Sequence, residues 1–112
     1  MNNKVKIAVD AMGGENAPKK IIKGIKLSLK QNVDNYFYIF GKRNLIEDEI
    51  KNNNFISKNF EIIDAKDTIS DDESPLSAAK KSKETSMWKA IEFLKNKKAD
   101  ITLSAGNTGA ML

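Results

Sequence analysis

The chain has 112 residues, 40% of them hydrophobic and 30% charged, and 19 Lys and Arg against 15 Asp and Glu leave a formal net charge of +4. That length and balance suit one modest globular domain, and no apolar run approaches the roughly 18 residues that cross a bilayer. The lack of cysteine excludes a disulfide framework and a thiolate metal site, and the lack of histidine removes the commonest general base.

The start, Met1-Asn2-Asn3-Lys4, leads into a strand without the apolar stretch of a secretory signal. Together with the missing cysteines, this suits a cytoplasmic protein. Val5 to Val9 is apolar at nearly every position, as a strand covered on both faces is. It runs into Asp10-Ala11-Met12-Gly13-Gly14, a carboxylate at a strand end followed by paired glycines. Asn16 is expected to cap the next helix, with Pro18 in its first turn. Ile21, Ile22, Ile25 and Leu29 share one helical face, and five lysines occupy the others.

A turn at Val33-Asp34-Asn35 precedes a second strand, Tyr36 to Phe40, of high β-propensity and ending at Gly41-Lys42. A second helix begins at Arg43 or Asn44, with Glu47, Asp48 and Glu49 in its early turns, where the dipole favours negative charge. Leu45, Ile46 and Ile50 are its predicted buried face, and Asn52-Asn53-Asn54 its exit. Phe60 to Ile63 is a third strand, followed by an acidic connection from Asp64 to Glu73. Ser74-Pro75 starts a helical stretch that runs to Lys98 with an interruption near Thr85-Ser86. Its predicted stripe is Met87, Ala90, Ile91 and Leu94.

Ala99-Asp100 opens the last strand, Ile101 to Leu103, whose β-branched and apolar residues predict burial. It breaks into Ser104-Ala105-Gly106-Asn107-Thr108-Gly109. Two glycines permit a sharp bend and close approach of backbone to a ligand. Asn107 or Thr108 can cap a following helix, a general recipe for holding an anion. The chain stops three residues after Gly109, where that helix should begin, so residues 1–112 are expected to be the amino-terminal portion of a single, longer α/β catalytic domain.

Alternating strands and helices of these lengths predict an α/β fold: an open, doubly wound, Rossmann-like, mainly parallel sheet. Ligands of such sheets sit at the carboxyl ends of the strands. That rule collects Asp10, Gly13 and Gly14, then Gly41 and Lys42, then Ser104 to Gly109. The first turn lacks the three-glycine spacing of a dinucleotide site, and no Gly-rich loop ends in Lys-Ser or Lys-Thr as a triphosphate site requires. Asp10 is placed to position a ligand or simply to form the turn. The cluster Lys80, Lys81, Lys83 reads as a solvated face or as a docking patch for an acidic partner. Asp71-Asp72-Glu73 reads as a solvated loop rather than a metal site, and the diffuse positive charge does not point to nucleic acid.

Two stretches go beyond generic patterning. Ala8-Val9-Asp10-Ala11-Met12-Gly13-Gly14 with Asn16-Ala17-Pro18, and Ser104-Ala105-Gly106-Asn107-Thr108-Gly109-Ala110, together resemble the amino-terminal part of the bacterial phosphate acyltransferases of the PlsX type. Asp72-Glu73-Ser74-Pro75, the lysines after it and Thr85-Ser86-Met87 fall where that family places them, so the likeness runs from Lys4 to Leu112.

The resemblance implies transfer of a fatty acyl group from acyl carrier protein to inorganic phosphate, giving acyl phosphate for phospholipid synthesis. It implies a homodimer without an organic cofactor or metal, working in the cytoplasm and at the membrane surface through parts outside this chain. On that reading Asp10 and Asn107 are the catalytic candidates, and Gly13, Gly14, Ser104, Gly106, Thr108 and Gly109 hold phosphate. Lys80, Lys81 and Lys83 dock the carrier protein. The chain departs from the family in Glu15, where aspartate is usual, and in Lys80 and Lys81, where arginines are common; lysine lacks the bidentate guanidinium grip. The rival expectations are a related acetyl-phosphate-forming transferase or dehydrogenase-like enzyme, and a non-catalytic anion- or protein-binding module.

Overall fold

The computed structural model describes residues 4–12, 17–65 and 86–104. The elements are β1 (Lys6–Asp10), α1 (Lys19–Gln31), β2 (Tyr36–Gly41), α2 (Arg43–Asn52), β3 (Phe60–Asp64), α3 (Ser86–Lys95) and β4 (Ile101–Ser104). The strands form a parallel sheet in the order β3-β2-β1-β4. The chain thus steps outward twice from β1, then returns to pair β4 on its other side, as a doubly wound sheet does.

Register is pinned because both faces of β1 are covered. Val9 lies opposite Ile39 and Leu103, and Asp10 opposite Phe40 and Ser104. A slip of one residue would exchange the two faces. One face carries Ile7, Val9, Phe37 and Ile39 against Ile22, Ile25 and Leu29 of α1 and Ile46 of α2. The other carries Ala8 and Phe40 against Ala90, with Tyr38, Ile63 and Phe93 packed around them.

The second layer is built from alanines and aromatics. Ala8 and Ala90 are both fully buried, and the lack of longer side chains there lets α3 lie close to the sheet. The Phe93 ring sits 4.7 Å from that of Tyr38 and 5.2 Å from that of Phe40. Each such pair contributes about 0.5–1.5 kcal/mol beyond its buried area. The Thr102 hydroxyl donates to the Ala90 carbonyl at 3.1 Å, tying α3 to β4. Asp100 closes the other end of β4: its N–H donates to the Lys6 carbonyl at 2.7 Å, and its carboxylate accepts from the Lys6 N–H at 2.9 Å.

Several expectations change. β4 is the outermost strand of the described sheet, so Ile101 and Leu103 are exposed rather than buried. Helix α1 starts one residue after Pro18, whose carbonyl accepts from the Ile22 N–H at 3.0 Å, with no side-chain cap. Asn16 lies outside the described residues. The first turn of α2 holds no acidic residue. Its negative group comes instead from β3, where the Asp64 carboxylate accepts from the Arg43 N–H at 3.0 Å, where a helix start needs an acceptor. Leu45 and Leu94 are exposed, and Phe93 rather than Leu94 meets the sheet, because the helical period that buries Ala90 carries 93 inward. Residues 66–85, with the Ser74-Pro75 helix start, lie outside the described residues, as does the Met87 side chain.

Two glycines make opposite predictions. A Cβ on Gly41 would lie 2.6 Å from Met12 Cγ and 2.9 Å from Ile46 Cδ1. Gly41→Ala is therefore expected to cost about 1–3 kcal/mol through overpacking. Gly24, inside α1, has nothing within 4 Å of such a Cβ. Gly24→Ala should stabilise by up to about 1 kcal/mol through helix propensity. Urea denaturation reads both as opposite shifts in midpoint at constant slope.

Candidate functional site

The order of the strands places the carboxyl ends of β1 and β4 side by side, where the direction of winding reverses. In open α/β sheets this switch point forms the ligand crevice. Asp10 ends β1 there and Ser104 ends β4, in register with it.

Asp10 is 2% exposed, the buried charged residue of the described chain. Its Oδ1 accepts from the Met12 N–H at 3.0 Å, and its Oδ2 accepts from the Ser104 hydroxyl at 2.8 Å. The first bond closes a local turn two residues on, a standard use of aspartate at a strand end. The second spans 94 residues of sequence. One carboxylate thereby fixes the exit of β1 and the exit of β4 together. A buried acidic side chain needs such donors, since leaving its oxygens unpaired costs several kcal/mol.

Neighbouring strands extend this edge. Ala11 N–H donates to the Phe40 carbonyl at 2.9 Å, and Ala65 N–H to the Gly41 carbonyl at 2.8 Å, carrying the ladder past the strand ends. Gly41 leaves room for the Met12 side chain, which covers the end of β2. Arg43 is spent on structure: its Nη2 donates to the Ile62 carbonyl at 2.8 Å. Lys42 is exposed at the same edge.

Of the residues singled out in the sequence, Asp10 and Ser104 are brought into contact. Gly13, Gly14, Gly106, Asn107, Thr108, Gly109, Lys80, Lys81 and Lys83 lie outside the described residues. Sequence reasoning missed Asp64 as the acceptor at the start of α2, whereas the bond from the Met12 N–H to Asp10 is the turn it expected of a strand-end aspartate. Nothing local signals the Asp64 bond, which joins residues 21 apart.

Among the described residues no group of three metal-ligating side chains comes together. None of their helices is long and apolar enough to cross a membrane. The Tyr36 phenol, at the opposite edge, has its pKa raised by burial first and by Glu61 and Tyr38 second. It begins β2, remote from Asp10, and takes no part in this site.

Chemically, the edge offers a rigid corner made from a buried carboxylate and a hydroxyl whose proton it holds. That corner fixes where the backbone leaves β1 and β4. Catalysis by alignment demands this kind of support, because small displacements of a loop are costly in rate.

Comparisons with known proteins give the family of the chain. The chain is 51% identical over 112 residues to the phosphate acyltransferase of Pelagibacter ubique, covering 100% of this chain and 33% of that protein. It is 42% identical over 106 residues to the phosphate acyltransferase of Clostridium acetobutylicum, covering 95% of this chain and 32% of that protein. Against the phosphate acyltransferase of Clostridium tetani the identity is 39% over 108 residues, covering 96% and 32%. The chain therefore spans about a third of the length of the curated relatives it matches. A family model described as fatty acid synthesis protein matches residues 5–112, nearly the whole chain, and the chain belongs to that family.

Proposed function

We propose that this chain is the amino-terminal part of an acyltransferase that moves a fatty acyl group from acyl carrier protein to inorganic phosphate. The observation that carries this reading is the end-to-end match, at 51% identity, to a protein named phosphate acyltransferase. Asp10 and Ser104 also stand at the switch point, where ligands of open α/β sheets bind.

In the proposed reaction a phosphate oxygen attacks the thioester carbonyl carbon. The carbon–oxygen bond of the acyl phosphate forms, the carbon–sulfur bond breaks, and the thiolate leaves to take up a proton. Phosphate is itself the nucleophile, so the protein needs neither a serine nor a cysteine nucleophile, nor an organic cofactor. An ordinary thiol has a pKa near 8.5, so its departure asks little of an acid. What remains is to hold phosphate, align it and stabilise the oxyanion.

On this reading the backbone around Gly106 and Gly109, with Asn107 and Thr108, supplies donors to phosphate and oxyanion, and Gly13 and Gly14 let the first turn approach. Ser104 holds the exit of β4 through its bond to Asp10, which makes Asp10 a positioning residue for both loops rather than a base. Acyl carrier protein is acidic, and Lys80, Lys81 and Lys83 give it a basic counterpart. A homodimer in the cytoplasm, meeting the membrane through parts beyond this chain, completes the proposal.

Product formation and variant kinetics test it. The full-length enzyme should form acyl phosphate from acyl carrier protein thioesters and phosphate; thioester binding without product would favour a non-catalytic module. The 112 residues alone should form none. Asp10→Asn keeps the shape but loses one acceptor, and should lower kcat by about 10- to 100-fold through loop misplacement, with a smaller effect on KM for the thioester. Ser104→Ala should reproduce part of that loss, and the double variant should lose less than the product of the two factors. Strictly multiplicative losses would show that the two residues act independently.

A further inference from the structure

We propose that the opposite, amino-terminal edge of the sheet carries a binding site for an anionic amphiphile, an apolar chain ending in a carboxylate or a phosphate. The inference rests on the cavity described below and not on the transfer reaction. Strands run one way and α1 runs back, so the carboxyl end of α1 and the entries to β2 and β3 gather at the edge far from Asp10.

A cavity of about 350 Å³ opens there between α1 and the segment that joins α2 to β3. Its volume lies in the range of small-molecule sites. Leu29, Val33, Phe55 and Ile56 provide apolar walls, and Lys26 and Lys30 line the α1 side. Two of these walls are fixed. Leu29 belongs to the core, and the Phe55 ring packs edge-to-face on Phe60 with centroids 5.5 Å apart. The other two are left in water: Val33 is 63% exposed and Ile56 is 89% exposed. An isoleucine this exposed forgoes most of the stabilisation that burial would return. Beside a preformed apolar hollow, that pattern marks a place that something apolar covers.

The charge at the rim says what else the ligand carries. Lys26 and Lys30 stand one helical turn apart on one face. Helix α1 contains five lysines and no acidic residue, so its own side chains offer those ammonium groups no counter-charge. Lysine stems cover apolar surface while their heads stay in water, which suits a ligand with an apolar tail and a charged end. Ser57, the remaining polar lining residue, accepts a hydrogen bond from the Asn59 N–H at 3.2 Å and so belongs to the turn. The half-open hollow, with Leu29 and Phe55 as fixed walls, and the pair of cations on one side favour a single small amphiphile over a broad macromolecular surface.

Isothermal titration calorimetry on the intact protein tests this with dodecanoate, dodecyl phosphate and dodecanol, each below its aggregation concentration. Both anions should bind with a negative heat-capacity change, and the tighter of the two identifies the headgroup. Lys26→Gln with Lys30→Gln should weaken both anions by about tenfold, the upper range for two exposed ion pairs, and leave dodecanol unchanged. Val33→Asp, at an exposed position outside the core, should weaken all three ligands while the urea midpoint stays put. Equal affinity for dodecanol and the anions, indifference to these substitutions, or no binding by any ligand would overturn the site. Binding to vesicles of anionic phospholipid without binding to the monomeric amphiphiles would also overturn it, making this edge a bilayer contact. None of these readouts involves thioester turnover, so the site and the proposed reaction stand or fall separately.

Discussion

The structure depends on β1 being paired on both sides by strands that reach it along different routes. β2 comes through α1 on one face, and β4 returns through α3 on the other. At the carboxyl end of that central strand, the Asp10 carboxylate accepts one hydrogen bond from its own turn and one from Ser104. A buried carboxylate is expensive unless its acceptors are met, so both bonds act as constraints on the loops that supply them. The corner of the proposed site is therefore held by the same interaction that joins the two windings of the fold.

The two faces of the sheet solve the packing problem differently. On the α1 and α2 face, branched aliphatic side chains interlock at full burial, with Ile22, Ile39 and Ile46 all at 0% exposure. On the α3 face, alanines keep the layers close and aromatic rings fill the space beside them. Local order at the carboxyl edge also comes from across the sheet. Asp64 of β3 takes the place of an acidic residue in the first turn of α2, and Thr102 of β4 binds the backbone of α3. The start of α2 and the packing of α3 are thus completed by neighbouring strands rather than by local sequence.

The two edges of the sheet have opposite chemistry. The carboxyl edge presents a carboxylate and a hydroxyl beside a glycine, with polar groups satisfied and backbone drawn into position. The amino edge presents an apolar hollow flanked by lysines.

Much was legible in the chain itself. Val5 to Val9, the α1 stripe of Ile22, Ile25 and Leu29, and the aromatic run of β2 announce their structure through period and propensity, which are local properties. The parallel, doubly wound class follows from the alternation of elements, and the first and last motifs carried the family. Strand order was decided only in three dimensions. It turned β4 from an expected buried strand into the outermost of the described sheet and brought Ser104 to Asp10 across 94 residues. It also gave α2 its acceptor from Asp64, and helix phase turned Phe93 inward in place of Leu94. Hydrophobic period records that a face is buried, whereas the partner that buries it, and the hydrogen bonds that cross to it, belong to the assembled fold.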